Sequence, residues 1–331
     1  MRPFTYHRAR SLTEALTLAG RSGSAVLAGG TTVVDLMRQD VLAPGDIVDI
    51  TGLRELTGID VHGDHIRIGA LTTMADAAGH DTVRSDFPAL AQSLTQAASQ
   101  QLRNVATVGG NVLQRTRCPY FRDGHSACNK RAPGTGCSAH EVGHPRNRAV
   151  LGASPHCAAV YAGDWAVALA AFDAELELLS ARGSRRVAVE SFHREPGSTP
   201  AVENILEPDE LVGSIIVPRC AAAKHSCYRK VRDRASFAFA IASAAVGVDT
   251  DGDIDGGIVT AANIAVGGTA TRPWRCRAAE HSLVGRPLTD AGIRHAAELA
   301  YLSARGPRVR IDIGVRTVVA ALRDLRRTGT P

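Results

Sequence analysis

Apolar and polar positions change period several times along this chain. Leu12, Ala15, Leu16 and Ala19 recur at three- and four-residue spacing, which predicts a short helix. Ser11 with Glu14 forms a capping box before it, and Gly20 marks its end. "SAVLAGGTTVVDLM" reads as a short apolar strand, a Gly-Gly turn and a helical or extended stretch. "DIVDI" and the alternation His65-Ile66-Arg67-Ile68 predict strands. "PALAQSLTQAASQQL" predicts one helix, and "NVATVGGNVL" predicts a strand, a second Gly-Gly turn and an apolar run. From about residue 115 to 150 no apolar period survives, so that stretch is expected to be a loop. "DWAVALAAFDAELELL" predicts a helix running into a strand, and "ELVGSIIVP" a strand stopped by Pro218. Beyond a boundary near "RCAAAKHS" come strands near Tyr228–Val231 and Ile258–Val266, then helices near Thr289–Ser303 and Val315–Arg327. Helices and strands without strict alternation favour an α+β fold, divided as residues 1–219 and 220–331.

Composition changes this picture little. The 331 residues, 44% of them hydrophobic, allow two domains with ample cores. No apolar run reaches the ~18 residues of a membrane span, and "MRPFTYHRAR" lacks the apolar stretch of a secretory signal. The net charge is +5 and the basic residues are scattered, which disfavours nucleic-acid binding. "DGDIDGG" imitates the start of a calcium loop through Asp251, Asp253, Asp255 and Gly256. Ala262 stands where the bidentate Glu belongs, so a hairpin turn is expected.

Two local features carry chemistry. One is the pair of glycine turns, Ala28-Gly29-Gly30-Thr31-Thr32 and Thr107-Val108-Gly109-Gly110-Asn111. Glycines let backbone approach a ligand closely and turn N–H groups outward as a nest for phosphate oxygens. Thr31, Thr32, Thr107 and Asn111 add side-chain donors. Two such turns facing each other would clamp a diphosphate; alternatively both are tight strand-ending turns. Neither matches G-x-G-x-x-G or the P-loop. The other feature is cysteine. Cys220, Cys227 and Cys276 stand singly and are expected to have no function. Cys118, Cys128 and Cys137 crowd the loop, and Cys157 follows it.

"LAGGTTVVDLM", "IRIGALTTMAD", "RNVATVGGNV" and "YRKVRDRASFAFAIASAAV" occur in an order and spacing that resembles the flavoprotein subunits of the xanthine dehydrogenase and carbon monoxide dehydrogenase family. The resemblance covers essentially the whole chain and is strongest to FAD subunits of heterotrimeric molybdenum aldehyde oxidoreductases. It implies a two-subdomain FAD-binding fold of the vanillyl-alcohol oxidase type, followed by a small α+β C-terminal domain. It also implies that Leu27, Ala28, Gly29, Gly30, Thr31, Thr32 and Val33, flanked by Val26 and Val34, hold FAD with Thr107, Gly110 and Asn111. Asp164 falls at an acidic position near the ribityl chain. Lys230 falls at a basic position near the flavin, where a cation favours anionic reduced flavin; otherwise it is a surface lysine.

Most members of that family lack the cysteine loop, so it reads as an insertion closed by Cys157. Three chemistries compete for its thiols. A disulfide is unfavourable in a reducing compartment. Zinc has His125, His140, His144 and His156 nearby, but the gaps of nine, eight and nineteen residues give no C-x2-4-C knuckle. An iron–sulfur cluster takes four thiolates and tolerates wide spacing. A redox flavoprotein gives such a cluster a use, flanking Arg117, Arg122, Lys130 and Arg131 offset its charge, and the resemblance implies a [4Fe–4S] cluster on Cys118, Cys128, Cys137 and Cys157. The expected function is therefore an FAD and iron–sulfur electron-transfer subunit of a molybdenum-containing aldehyde oxidoreductase. Its partners would be a large molybdenum cofactor subunit, a small [2Fe–2S] subunit and an external electron acceptor. The alternatives are a stand-alone FAD oxidoreductase and a zinc-loop binding module. The expected compartment is the cytoplasm, or the periplasm if a partner carries a twin-arginine signal.

Overall fold

Ser11 Oγ accepts from the Glu14 N–H at 3.2 Å, and Glu14 Oε2 accepts from the Arg10 N–H at 2.8 Å. The helix Leu12–Ala19 therefore starts where its capping residues predict. The computed structural model describes residues 1–141, 148–254 and 256–328; His144 and Asp255 of the sequence reading lie outside the described residues.

Three sheets organise the chain. β1 (Thr5–Arg8), β2 (Ser24–Leu27) and β3 (Asp46–Asp49) form a small parallel sheet in the order β1-β3-β2. Parallel pairing needs crossovers, which the helices Leu12–Ala19 and Val33–Arg38 supply. A five-stranded antiparallel sheet follows: β4 (Ile59–Val61), β5 (His65–Gly69), β6 (Glu175–Ser180), β7 (Gly183–Ala188) and β8 (Leu211–Pro218), ordered β4-β5-β8-β6-β7. The C-terminal part holds β9 (Ser226–Val231), β10 (Ala242–Thr250), β11 (Val259–Gly267) and β12 (Trp274–Arg275), antiparallel in the order β12-β11-β10-β9. The helices Arg277–Leu283, Asp290–Ala300 and Arg308–Thr328 close a core with Val246, Val248, Ile264 and Val266 of that sheet.

The helix Trp165–Ala171 is buried along its whole length, as an all-apolar helix must be. It shares one core with Ile66, Ile68 and Ile215 of the second sheet and Ala245 and Ala265 of the third. Buried polar groups from the third sheet hold both its ends. At the N-terminal end, Asp164 accepts from Lys230 Nζ at 2.8 Å and from the Tyr228 hydroxyl at 2.6 Å. Burial raises the Asp164 carboxyl above its ordinary range, opposed by Lys230 and Tyr228. At the C-terminal end, Arg275 donates to the Ala170 carbonyl at 2.6 Å and to that of Ala171, while pairing with Glu280. A cation suits carbonyls at a helix C-terminus, and that of Ala171 also accepts from Asn263 at 2.8 Å.

Several expectations are corrected. Val108–Val112 is a short helix capped by Thr107, so the second glycine pair is helical rather than a strand-ending turn. The stretch predicted as one helix from residue 88 breaks after Thr95 and resumes over Gln100–Arg103, with Ala98 at φ +50° between them. The last helix starts at Arg308, seven residues before the expected Val315, because Val309 and Arg310 continue its turns. The cysteine loop contains two helical turns, Pro119–Arg122 and Ser138–Glu141. The strands β1, β4, β7 and β12 were not expected. Each is short or largely exposed, so none carries an apolar alternation. Asp251 and Asp253 lie in the connection between β10 and β11, as the hairpin reading expects.

The Lys230 and Asp164 side chains are only 1% and 5% exposed. Replacing Lys230 with Met is expected to cost about 3–5 kcal/mol of stability by leaving a buried carboxylate without its cation. Denaturant unfolding measures this; an unchanged midpoint would contradict the buried pair.

Candidate functional site

The two glycine segments meet because two glycines have no side chain. A Cβ at Gly29 would overlap the Val105 carbonyl oxygen, so the first turn lies directly on the backbone leading to Thr107. A Cβ at Gly109 would fall 2.7 Å from the Ala70 Cβ. The Gly109 N–H also bonds the Ala70 carbonyl at 2.9 Å, which seats the short helix against the end of β5. Gly30 adopts φ +70°, a backbone state that favours glycine. Among the described residues, the N–H groups of Gly29, Gly30, Thr31, Thr32 and Val33 have no acceptor. Thr107 Oγ1 accepts from the Gly110 N–H at 3.2 Å, leaving its hydroxyl hydrogen to donate.

Both segments line one cleft of about 270 Å³. Of the residues singled out in the sequence, Val26, Ala28, Gly29, Gly30, Thr31, Thr32, Val33, Thr107 and Gly110 line it. Leu27 does not; its side chain lies beneath Gly30. Val34 faces an outer groove with Asp35, Arg38 and Gln39. Asn111 is turned away, its Nδ2 3.4 Å from Met74 Sδ and its Oδ1 accepting from Gln114 at 3.1 Å. Gly109 of the same glycine pair lines the cleft too, whereas sequence reasoning missed the apolar wall of Leu113, Leu206 and Leu211. No local motif marks those leucines, because only the fold brings them to the cleft.

Two further cavities continue from this cleft in series through shared lining residues. A polar one of about 420 Å³ shares Leu113, Arg115 and Leu206 with it. A larger one of about 510 Å³ shares Thr116, Val160 and Tyr161 with the polar cavity and reaches Ala240, Ile241 and Gly268 of the C-terminal part. Asp164 lines this cavity. Lys230 lines none of the three; its ammonium is committed to Asp164 and the Gln96 carbonyl, so it is not a surface lysine.

Cys118, Cys128, Cys137 and Cys157 line one small pocket. Cys128 and Cys137 face each other across an isolated antiparallel bridge, and the Cys157 N–H is held by Ser154 Oγ at 3.3 Å. Burial raises the Cys118 thiol and pushes that of Cys157 up to about 11; nearby Lys130 opposes the latter. Among the described residues, no group of three or more His, Cys, Asp or Glu side chains is arranged to hold a metal ion. His156 lines the pocket, whereas His140 is engaged by the Ser154 carbonyl at 3.0 Å and by Arg148 at 2.7 Å. Cys227 donates to the Ala321 carbonyl at 3.3 Å, Cys276 lies in the C-terminal core and Cys220 is exposed.

The cations of the loop divide their work. Arg117 and Arg122 both pair with Asp35 on the helix Val33–Arg38, the former at 3.3 Å. Arg131 caps the carbonyls of Tyr120, Phe121 and Ser126. Only Lys130 of the four expected charge-balancing residues lines the thiol pocket.

Comparison with known proteins places this geometry. The FAD binding domain of molybdopterin dehydrogenases matches residues 2–220, and the CO dehydrogenase flavoprotein C-terminal domain matches residues 226–305. The chain belongs to the FAD-binding subunit family of the molybdopterin dehydrogenases. It is 43% identical to the aldehyde oxidoreductase FAD-binding subunit PaoB of Escherichia coli over 86% of each chain. It is 29% identical to the glyceraldehyde dehydrogenase medium chain of Sulfolobus acidocaldarius, over 89% of this chain and 85% of that one. Its fold matches a crystal structure of Cu,Mo-CO dehydrogenase with a TM-score of 0.77, at 22% identity over 99% of both chains. It is thus a subunit of an oxidoreductase, and its FAD-binding family agrees with a cleft whose glycines and free N–H groups suit a diphosphate.

For this flavoprotein, Gly29→Ala is expected to abolish stoichiometric FAD, because the added methyl forces the two glycine segments apart. Gly45 has open space around its Cβ position, so Gly45→Ala serves as the control. Flavin absorbance per chain decides it: full FAD in the Gly29 variant would contradict the close approach as the basis of the site.

Proposed function

We propose that this chain is the FAD and iron–sulfur electron-transfer subunit of a molybdenum-containing aldehyde oxidoreductase. The observation that carries the iron–sulfur part is the convergence of four loop cysteines, and none of the other three, on one pocket. Support for the substrate class is the 43% identity to an aldehyde oxidoreductase subunit. The names of the relatives, "FAD-binding subunit" and "medium chain", support assembly with further chains. Those partners would be a large molybdenum cofactor subunit and a small [2Fe–2S] subunit.

The residues fit FAD. Gly29 lets the two segments close on one cleft, Gly30 turns the backbone, the N–H groups from Gly29 to Val33 are free to donate to a diphosphate, and the Thr107 hydroxyl adds one donor. Leu113, Leu206 and Leu211 shield one wall of the cleft from water. FAD, when bound, accepts electrons and passes them on singly or in pairs to an external acceptor.

Four cysteines line the thiol pocket, the donor set that a [4Fe–4S] cluster takes. Structural zinc sites favour a closely spaced cysteine pair, which this chain lacks. A [4Fe–4S] cluster attaches its thiolates at four separate irons and needs only a surrounding arrangement. Burial disfavours the free thiolates, and coordination to iron repays that cost by deprotonating them.

Changing any one of Cys118, Cys128, Cys137 or Cys157 to Ser is expected to remove about four iron atoms and the labile sulfide from each chain. Cys276→Ser and Cys227→Ser should leave both in place. Iron, zinc and acid-labile sulfide are measured together on protein co-expressed with its neighbouring gene products. Stoichiometric zinc without labile sulfide would sink the cluster reading, and a chain that co-purifies with no partner would sink the subunit reading.

A further inference from the structure

We propose that Lys130 is the fixed counter-cation of the four-thiol pocket, held there by Glu203, and that it favours the more negative, reduced state of the group the thiols bind. This rests on the cluster reading above and adds a residue that determines the cluster's redox balance.

Lys130 lies between Cys128 and Cys137 in the chain, and its side chain is 11% exposed. Its ammonium donates to Glu203 at 2.9 Å and to the Pro200 carbonyl at 3.1 Å. Both acceptors come from the segment between Phe192 and Leu211, outside the insertion, so the position of the charge is set by the scaffold. Lys130 lines the thiol pocket and also the polar cavity beside the FAD cleft. The other loop cations are committed elsewhere: Arg117 and Arg122 to Asp35, Arg131 to backbone carbonyls and Asp123.

Glu203 opposes the effect, but its carboxylate is shared with Arg115. Two cations and one carboxylate leave a net positive charge beside the pocket. One-electron reduction of a thiolate-ligated cluster adds one negative charge, forms and breaks no bond and takes up no proton. In a poorly solvated pocket, a fixed cation lowers the free energy of that added charge far more than it would in water.

The test is a dithionite redox titration of the purified complex, followed by the electron paramagnetic resonance of the reduced cluster. At the wild-type midpoint, Lys130→Gln is expected to lower the reduced-to-oxidised ratio about tenfold, ~59 mV for one electron. Lys130→Arg should restore the ratio. Glu203→Gln removes the opposing charge and should move the ratio upward. Iron and labile sulfide are counted in every variant. A Lys130→Gln protein with its cluster and an unshifted ratio overturns the inference and leaves the cluster reading intact. If Lys130→Gln holds no iron, the double variant Lys130→Gln/Glu203→Gln is read against Glu203→Gln alone: a lower ratio in the double variant supports the inference and an equal or higher one overturns it. Wild-type protein without labile sulfide fails the cluster reading itself, and this inference with it.

Discussion

Everything at the glycine-lined cleft depends on close backbone contacts that no side chain could make. Gly29 rests on the Val105 carbonyl, and Gly109 rests on Ala70. The first contact joins the small parallel sheet to the segment before Thr107; the second joins that segment to the antiparallel sheet. Without them the five free N–H groups of the first turn would face solvent instead of one wall of a shared cleft. Glycine is required here for proximity more than for unusual dihedral angles. Only Gly30 of the four has positive φ. The conformational cost of glycine in the unfolded chain is therefore spent on bringing two sheets within contact of one ligand.

The C-terminal part is attached by a different means. Its sheet grips both ends of the buried helix Trp165–Ala171, through Lys230 and Tyr228 on Asp164 and through Arg275 on the last carbonyls. Buried ion pairs contribute little net stability once desolvation is counted, but a mispaired one is costly. This arrangement thus specifies one placement of the third sheet more than it strengthens the fold. Its consequence for function is positional. Asp164 lines the cavity of about 510 Å³ while its charge is matched by Lys230, so that cavity wall is polar without carrying an unbalanced carboxylate.

Much of this was legible in the sequence, for physical reasons that differ from place to place. Ser11 and Glu14 declared a helix start because capping is local. Pro218 ended β8 because proline cannot donate to a ladder. The glycine pairs marked the cleft because close approach leaves a compositional trace. The helix at Val108–Val112 was misread as a turn, since glycines are poor helix formers and only the Thr107 cap and the contact with Ala70 override that preference. Leu206 and Leu211 were invisible as site residues, because nothing local distinguishes an apolar residue facing a ligand from one facing a core. The pairing of Lys230 with Asp164 was likewise hidden, being a contact between residues 66 positions apart.

The cysteine insertion and the nucleotide turn are mechanically one unit, and the residue that makes them so is Asp35. It projects from the helix that directly follows the first glycine pair and receives both Arg117 and Arg122 from the insertion. Leu36 beside it packs with Phe121 and Cys128, and Leu36 also lines the FAD cleft. A side chain therefore touches the cleft on one face and the thiol loop on the other. A group bound by the four thiols would also hold Phe121 and, through the two arginines on Asp35, the helix whose N-terminal turn lines the cleft. A group bound by the four thiols would consequently act as a scaffold element of the glycine-lined cleft whether or not electrons pass through it.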